Sequence, residues 1–139
     1  MAKIPTNVMD LIKDPEAPKV MATVDKEGIP NVTLKGSLMA ISDDTLAFAD
    51  LCGSKSRTFN NLKESNLGSI LVFKVPFAPP FPAYQIKCSL IEYLTSGPMF
   101  EQFAKEIKEA IGADIKGVFK LLVDAVYSQA PQDAGEHIA

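Results

Sequence analysis

Six β-forming runs follow one another along this chain, over residues 19–24, 30–41, 45–50, 66–75, 83–95 and 117–128. Most of the links between them are too short to hold a crossover. Joining two parallel neighbours takes a dozen or more residues, usually a helix. The links at 25–29 and 42–44 allow only a reversal. The expected fold is therefore mainly β, with an antiparallel sheet. Six antiparallel strands around one core close most easily as a small barrel, with helices over the open ends. At 139 residues the chain has the length of one domain.

Punctuation sets the boundaries. Asp25-Lys26-Glu27-Gly28 and Asp43-Asp44 are turn signals, and Gly28 supplies a positive φ. Val8, Met9, Leu11 and Ile12 predict a short helix over 6–13, stopped before Asp14-Pro15. A second helix is expected over 56–64, with Phe59 and Leu62 inward. A third opens at Gly97-Pro98, with Met99, Phe100, Phe103, Ile107 and Ile111 on one face and Gly112 as its stop. Residues 1–17 read as a helical lead-in and 129–139 as a polar tail. Residues 76–82, Pro-Phe-Ala-Pro-Pro-Phe-Pro, lack the donors of a central strand and predict an extended loop. Phe77 and Phe81 in that loop are expected to pack over a ligand or a partner subunit, or to fold back on their own barrel.

Charge and cysteine usage exclude several classes. The net charge is −3, which argues against broad nucleic-acid binding. The longest stretch without Lys, Arg, Asp or Glu is twelve residues, 75–86, with four prolines, too short to span a bilayer. The N-terminus has no long apolar segment, so no signal peptide is expected. Cys52 and Cys88 stand apart and predict reduced thiols in a cytoplasmic protein. His137 is the one histidine. No metal site and no histidine-based nucleophile are expected.

Arg57 is the one arginine beside thirteen lysines. It lies in Gly53-Ser54-Lys55-Ser56-Arg57-Thr58, which runs from a strand end into a helix start. Such a start offers free N–H groups and a partial positive charge. With the Ser56 and Thr58 hydroxyls and the Lys55 and Arg57 cations, it suits a phosphate. The same residues also read as an ordinary N-cap beside two solvated cations. Neither a P-loop nor a Rossmann glycine pattern is present. Along 31–35, Val32 and Leu34 alternate with Asn31, Thr33 and Lys35, which gives one apolar and one polar face.

The order of these pieces resembles a family. The D-K-E-G turn, P-N-V-T-L-K strand, L-A-F-A-D strand, S-R-T-F-N-N-L helix start, S-I-L-V-F, Y-Q-I-K and G-P-M-F-E are similar to small FMN-binding split-barrel proteins related to pyridoxamine-phosphate oxidase. The resemblance runs from about Val20 to Val126. It implies a six-stranded split barrel, 1–139 as one domain, and a homodimer with FMN at the interface. It places the phosphate on Ser56, Arg57 and Thr58, beside the Lys55 cation already noted. It places the ring along Thr33, Leu34 and Lys35 and along Ala49, Asp50 and Leu51. Gln85 matches a glutamine that reaches the cofactor across the interface. Lys35 would stabilise a reduced, anionic flavin if it stands beside the ring; otherwise it is a solvated strand lysine. A pyridoxamine-phosphate oxidase also carries an R-x-V-L-L-K strand and a basic C-terminal segment. Here the strand reads T-L-K and the tail P-Q-D-A-G-E-H-I-A, which argues against vitamin B6 chemistry. The function implied is an FMN-dependent oxidoreductase using a small-molecule or protein redox partner, with no residue singled out as catalytic. The alternatives are an FMN carrier or electron-transfer protein, a deazaflavin-dependent reductase, and a dimeric barrel with an empty groove.

Overall fold

A computed structural model describes residues 2–139. The first hairpin forms where the turn residues place it. β1 (Lys19–Val24) and β2 (Pro30–Leu34) pair antiparallel around Gly28, whose φ is +83°. The Asp25 carboxylate closes the turn by accepting from the N–H groups of Glu27 and Ile29, each at 2.9 Å.

The run expected over 30–41 is broken in two. Leu38 N–H bonds to Lys35 O at 3.1 Å, so the chain turns after Lys35 and resumes as β3 (Met39–Ala40). The remaining elements are α1 (Thr6–Lys13), β4 (Thr45–Asp50), α2 (Arg57–Ser65), β5 (Leu67–Phe73), β6 (Ala83–Leu94), α3 (Pro98–Ile111) and β7 (Gly117–Ser128). The sheet thus has seven antiparallel strands rather than six, in the order β2-β1-β5-β6-β7-β4-β3. Its two edge strands, β2 and β3, are neighbours in sequence. A link as short as 35–38 can join opposite edges only if the sheet curls until they approach. This is a split barrel, and the split falls between β2 and β3.

The interior holds Met21, Ile70, Val72, Ile86, Phe48, Leu46, Phe119, Leu121, Val123 and Val126, with Val8, Leu11 and Ile12 of α1 closing one end. Phe48 and Phe119 are 5.2 Å apart at their centroids. Fully burying a side chain of this kind contributes roughly 1.5–3 kcal/mol. Every residue of β4 is buried, because α3 covers its outer face. Phe103 packs with Ala47, Ala49 and Val118.

Residues 129–139 do not extend freely as a tail. Ile138 N–H bonds to Val126 O at 2.9 Å, and Val126 N–H to Ala139 O at 2.8 Å. His137 stacks on Tyr127 at 4.9 Å. Among the described residues no helix is long and apolar enough to cross a membrane.

Candidate functional site

The Ser56–Leu62 motif builds one wall of a groove. Ser56 caps α2 by accepting from Phe59 N–H at 3.4 Å. Helix geometry leaves the N–H groups of Arg57 and Thr58 without intrahelical acceptors. Two buried side chains dock this helix start on the sheet. Thr58 accepts from Asn31 Nδ2 at 3.2 Å, and Asn61 Nδ2 donates to Thr23 Oγ1 at 3.0 Å. The helix start is thereby pinned beside the edge strand β2.

The opposite wall comes from β2 itself. Asn31 and Thr33 share one side of the strand, as the period of two requires, and Lys35 follows just past its end. They line a groove of about 600 Å³ with Leu51, Cys52, Lys55, Ser56, Arg57 and Lys116. That size lies within the usual range for small-ligand sites. None of these residues is acidic, and four are cations. Lys35 Nζ lies 4.9 Å from the centre of the Phe48 ring. Burial lowers its pKa from the ordinary lysine value, and nearby Asp50 and Cys52 partly offset this.

Six of the sequence-selected residues therefore meet in one place: Thr33, Lys35, Leu51, Lys55, Ser56 and Arg57. The other five lie elsewhere. Leu34 points away, 74% exposed. Ala49 is buried under α3, with its N–H donating to Ser37 Oγ at 2.9 Å. Thr58 is buried behind the groove. Asp50 turns inward, where Oδ2 accepts from the Tyr93 hydroxyl at 2.7 Å and Oδ1 accepts from the N–H groups of Cys52 at 3.2 Å and Gly53 at 3.1 Å. Burial, with the Asp50 carboxylate, raises the Tyr93 hydroxyl well above the ordinary tyrosine pKa.

Gln85 belongs to a second groove. Its amide donates to Ser69 Oγ at 2.8 Å and its carbonyl accepts from Gln129 Nε2 at 2.9 Å. This groove, about 620 Å³, is otherwise apolar, walled by Val20, Val32, Leu71, Phe73 and Phe77 among others. Phe77 packs against Phe81 with tilted rings, 5.0 Å between centroids, and is 48% exposed.

Asn31, Cys52 and Lys116 complete the cationic groove without having been selected from sequence. Asn31 shares the parity of Thr33 and Lys35, and that alternation was the available signal. Lys116 had no local signal. The buried Cys88 plays no part; burial, reinforced by Asp124, pushes its thiol up to about 12.

The sequence pattern of the family described as pyridoxamine 5'-phosphate oxidase matches residues 6–137, and the chain belongs to that family. No curated protein matches it. Among solved structures it is similar to HupZ of Group A Streptococcus, at 21% identity over 98% of this chain and 99% of that one, with a TM-score of 0.78. It is similar to an FMN-binding protein of Syntrophomonas wolfei subsp. wolfei, at 21% identity over 86% and 82% of the two chains, with a TM-score of 0.76. An F420 reductase matches at 17% identity over 88% and 98%, with a TM-score of 0.67. At these identities the likeness establishes the shared split barrel.

Proposed function

We propose that this protein is an FMN-binding flavoprotein that transfers hydride or electrons between small-molecule or protein partners. The observation that carries this reading is the convergence of a capped helix start, one arginine and three lysines on a groove with no acidic wall residue. That donor set matches a phosphate dianion. The family membership and the FMN-binding neighbour support it.

In this reading Ser56, the free N–H groups of α2 and Arg57 hold the phosphate, and Lys55 adds charge. Thr33 of β2 and Lys35 just past its end face the rest of the ligand. The Lys35 ammonium is placed to stabilise negative charge that develops next to the strand. FMN would supply the redox chemistry; the protein supplies position, electrostatics and exclusion of water.

The apolar groove is read as the surface of a homodimer. Val32, Leu71 and Phe77 are all exposed there, and adjacent apolar side chains of this size mark an interaction surface. A second copy would cover them and bring its Gln85 towards the cofactor.

The absorption spectrum of the purified protein tests the cofactor directly, with flavin bands expected. A single deazaflavin band or a heme Soret band would overturn FMN. The site is tested by Arg57→Ala, which should weaken FMN roughly tenfold to a hundredfold. Riboflavin, which lacks the phosphate, should bind the variant as well as the parent. An unchanged FMN affinity would remove Arg57 from the site.

A further inference from the structure

We propose that Lys116 is a fourth cationic ligand of the phosphate groove, held over the binding loop by a hub made of Asp50 and Tyr93. This rests on the FMN reading for the identity of the anion, but not for the site's preference for a phosphate.

Lys116 stands just before β7, far from the helix-start motif in sequence. Two contacts bring it to the loop. Its N–H donates to Asp50 O at 2.7 Å, continuing the β4–β7 ladder in which Asp50 faces Gly117. Its stem crosses Gly53, where a Cβ would lie 2.9 Å from Lys116 Cδ and 3.8 Å from Cε. Gly53 also has a φ of +59°, a conformation that favours glycine. A side chain at that position would therefore push Lys116 off the loop.

The hub fixes the loop that the Lys116 stem crosses. One oxygen of the Asp50 carboxylate takes the N–H groups of Cys52 and Gly53; the other takes the Tyr93 hydroxyl. Tyr93 fits there because Gly117 has no side chain; a Cβ would overlap its ring and hydroxyl. Tyr93 is backed by Phe59 and Phe119 at 5.3 and 4.7 Å, and Lys63 Nζ lies 4.4 Å over its ring. Asp50 is thus consumed by the loop. Among the described residues no carboxylate stands within ion-pair distance of Lys116. Its charge is left to face the groove, which it lines beside Lys55, Ser56 and Arg57.

The test compares Lys116→Met, which keeps an apolar stem, with Lys116→Arg, which keeps the charge. Lys105→Met, exposed on α3, controls for net charge. FMN and riboflavin are titrated by flavin fluorescence, and inorganic pyrophosphate by calorimetry on the flavin-free protein. Lys116→Met should lose roughly five- to thirtyfold in FMN affinity, with riboflavin unchanged. Lys116→Arg should stay within about threefold of the parent, because charge is the retained element. Lys105→Met should match the parent. FMN binding by Lys116→Met at parental strength, or equal loss of FMN and riboflavin, would overturn the proposal while leaving the FMN reading standing. If the parent binds pyrophosphate but not FMN, and Lys116→Met loses pyrophosphate, the FMN reading fails and Lys116 remains an anion ligand. If the parent binds neither probe, both fail.

Discussion

One edge strand writes two unlike surfaces. On one side of β2, Asn31 and Thr33, with Lys35 just past the strand end, face a cationic groove; on the other, Val32 faces an apolar one. The cationic groove draws on several separate segments, β2, the loop after β4, the start of α2 and the lead into β7. Most wall residues of the apolar groove come from adjacent strands β2, β1, β5 and β6 and repeat every second position. The first is an assembled site, and the second is the outer face of a regular sheet. Their vulnerabilities differ accordingly. An assembled site fails when one of its holding contacts is lost, whereas a sheet face fails only when its own surface chemistry changes.

The largest expected effect is on the apolar side. Leu71→Arg places a charge at the centre of the proposed dimer face, and desolvating an unpaired charge there costs several kcal/mol. Light scattering at micromolar concentration should show the parent as a dimer and the variant as a monomer. A parent monomer would end the dimer reading. If the monomeric variant kept full FMN affinity, the cationic groove would be complete within one chain.

Gly117→Ala strikes the assembled side. The added Cβ overlaps Tyr93, so the aromatic cluster and the Asp50 contact must shift together. Overpacking of this kind costs about 1–3 kcal/mol. Thermal unfolding should show the loss, and FMN should weaken more than riboflavin. Parental stability would mean that Tyr93 moves freely and the hub is not rigid.

Tyr93→Phe is a milder cut. It removes one donor from the buried Asp50 carboxylate, which should cost about 1 kcal/mol. It also has a pH signature. The Tyr93 pKa is raised in the folded protein, so the folded state holds its proton longer than the unfolded chain. The stability it contributes is present below the unfolded value, about 10, and is lost as pH rises above it. The phenylalanine variant should show a flatter stability profile in that alkaline range; an unchanged slope would show that Tyr93 does not cause it.

The smallest effect concerns Lys35. Its pKa is lowered by burial, so it gives up its proton at a lower pH than an ordinary lysine. FMN affinity should begin to fall on the alkaline side below the ordinary lysine value, about 10.4, and Lys35→Arg should delay that fall. A parental profile in Lys35→Arg would place Lys35 away from the ligand's charge.

Much of the architecture was legible because it is local. The turns at Asp25–Gly28 and Asp43–Asp44, the α2 cap at Ser56 and the Gly97-Pro98 helix start all act within a few residues of themselves. The antiparallel order followed from link lengths. The division of 30–41 was not legible, because nothing near Gly36 says that the two halves form opposite edges of the sheet. The full burial of β4 was missed for a related reason. Its inner face can be read from the alternation of Leu46 and Phe48, but the cover over Ala47 and Ala49 arrives from α3, far along the chain.

The site divides in the same way. Ser56, Arg57 and Lys55 declare themselves, since an anion-binding helix start is a property of consecutive residues. Thr33 and Lys35 follow from strand parity. Asp50, chosen from sequence as a ligand contact, spends its carboxylate on Tyr93 and on the loop, and that pairing joins positions 43 apart in the chain. Lys116 reaches the same loop through strand pairing between β4 and β7. Periodicity and capping depend on near neighbours and can be read from a string of residues. Which cation faces which loop depends on the register of distant strands and the curl that brings them together, and those exist only in the folded chain.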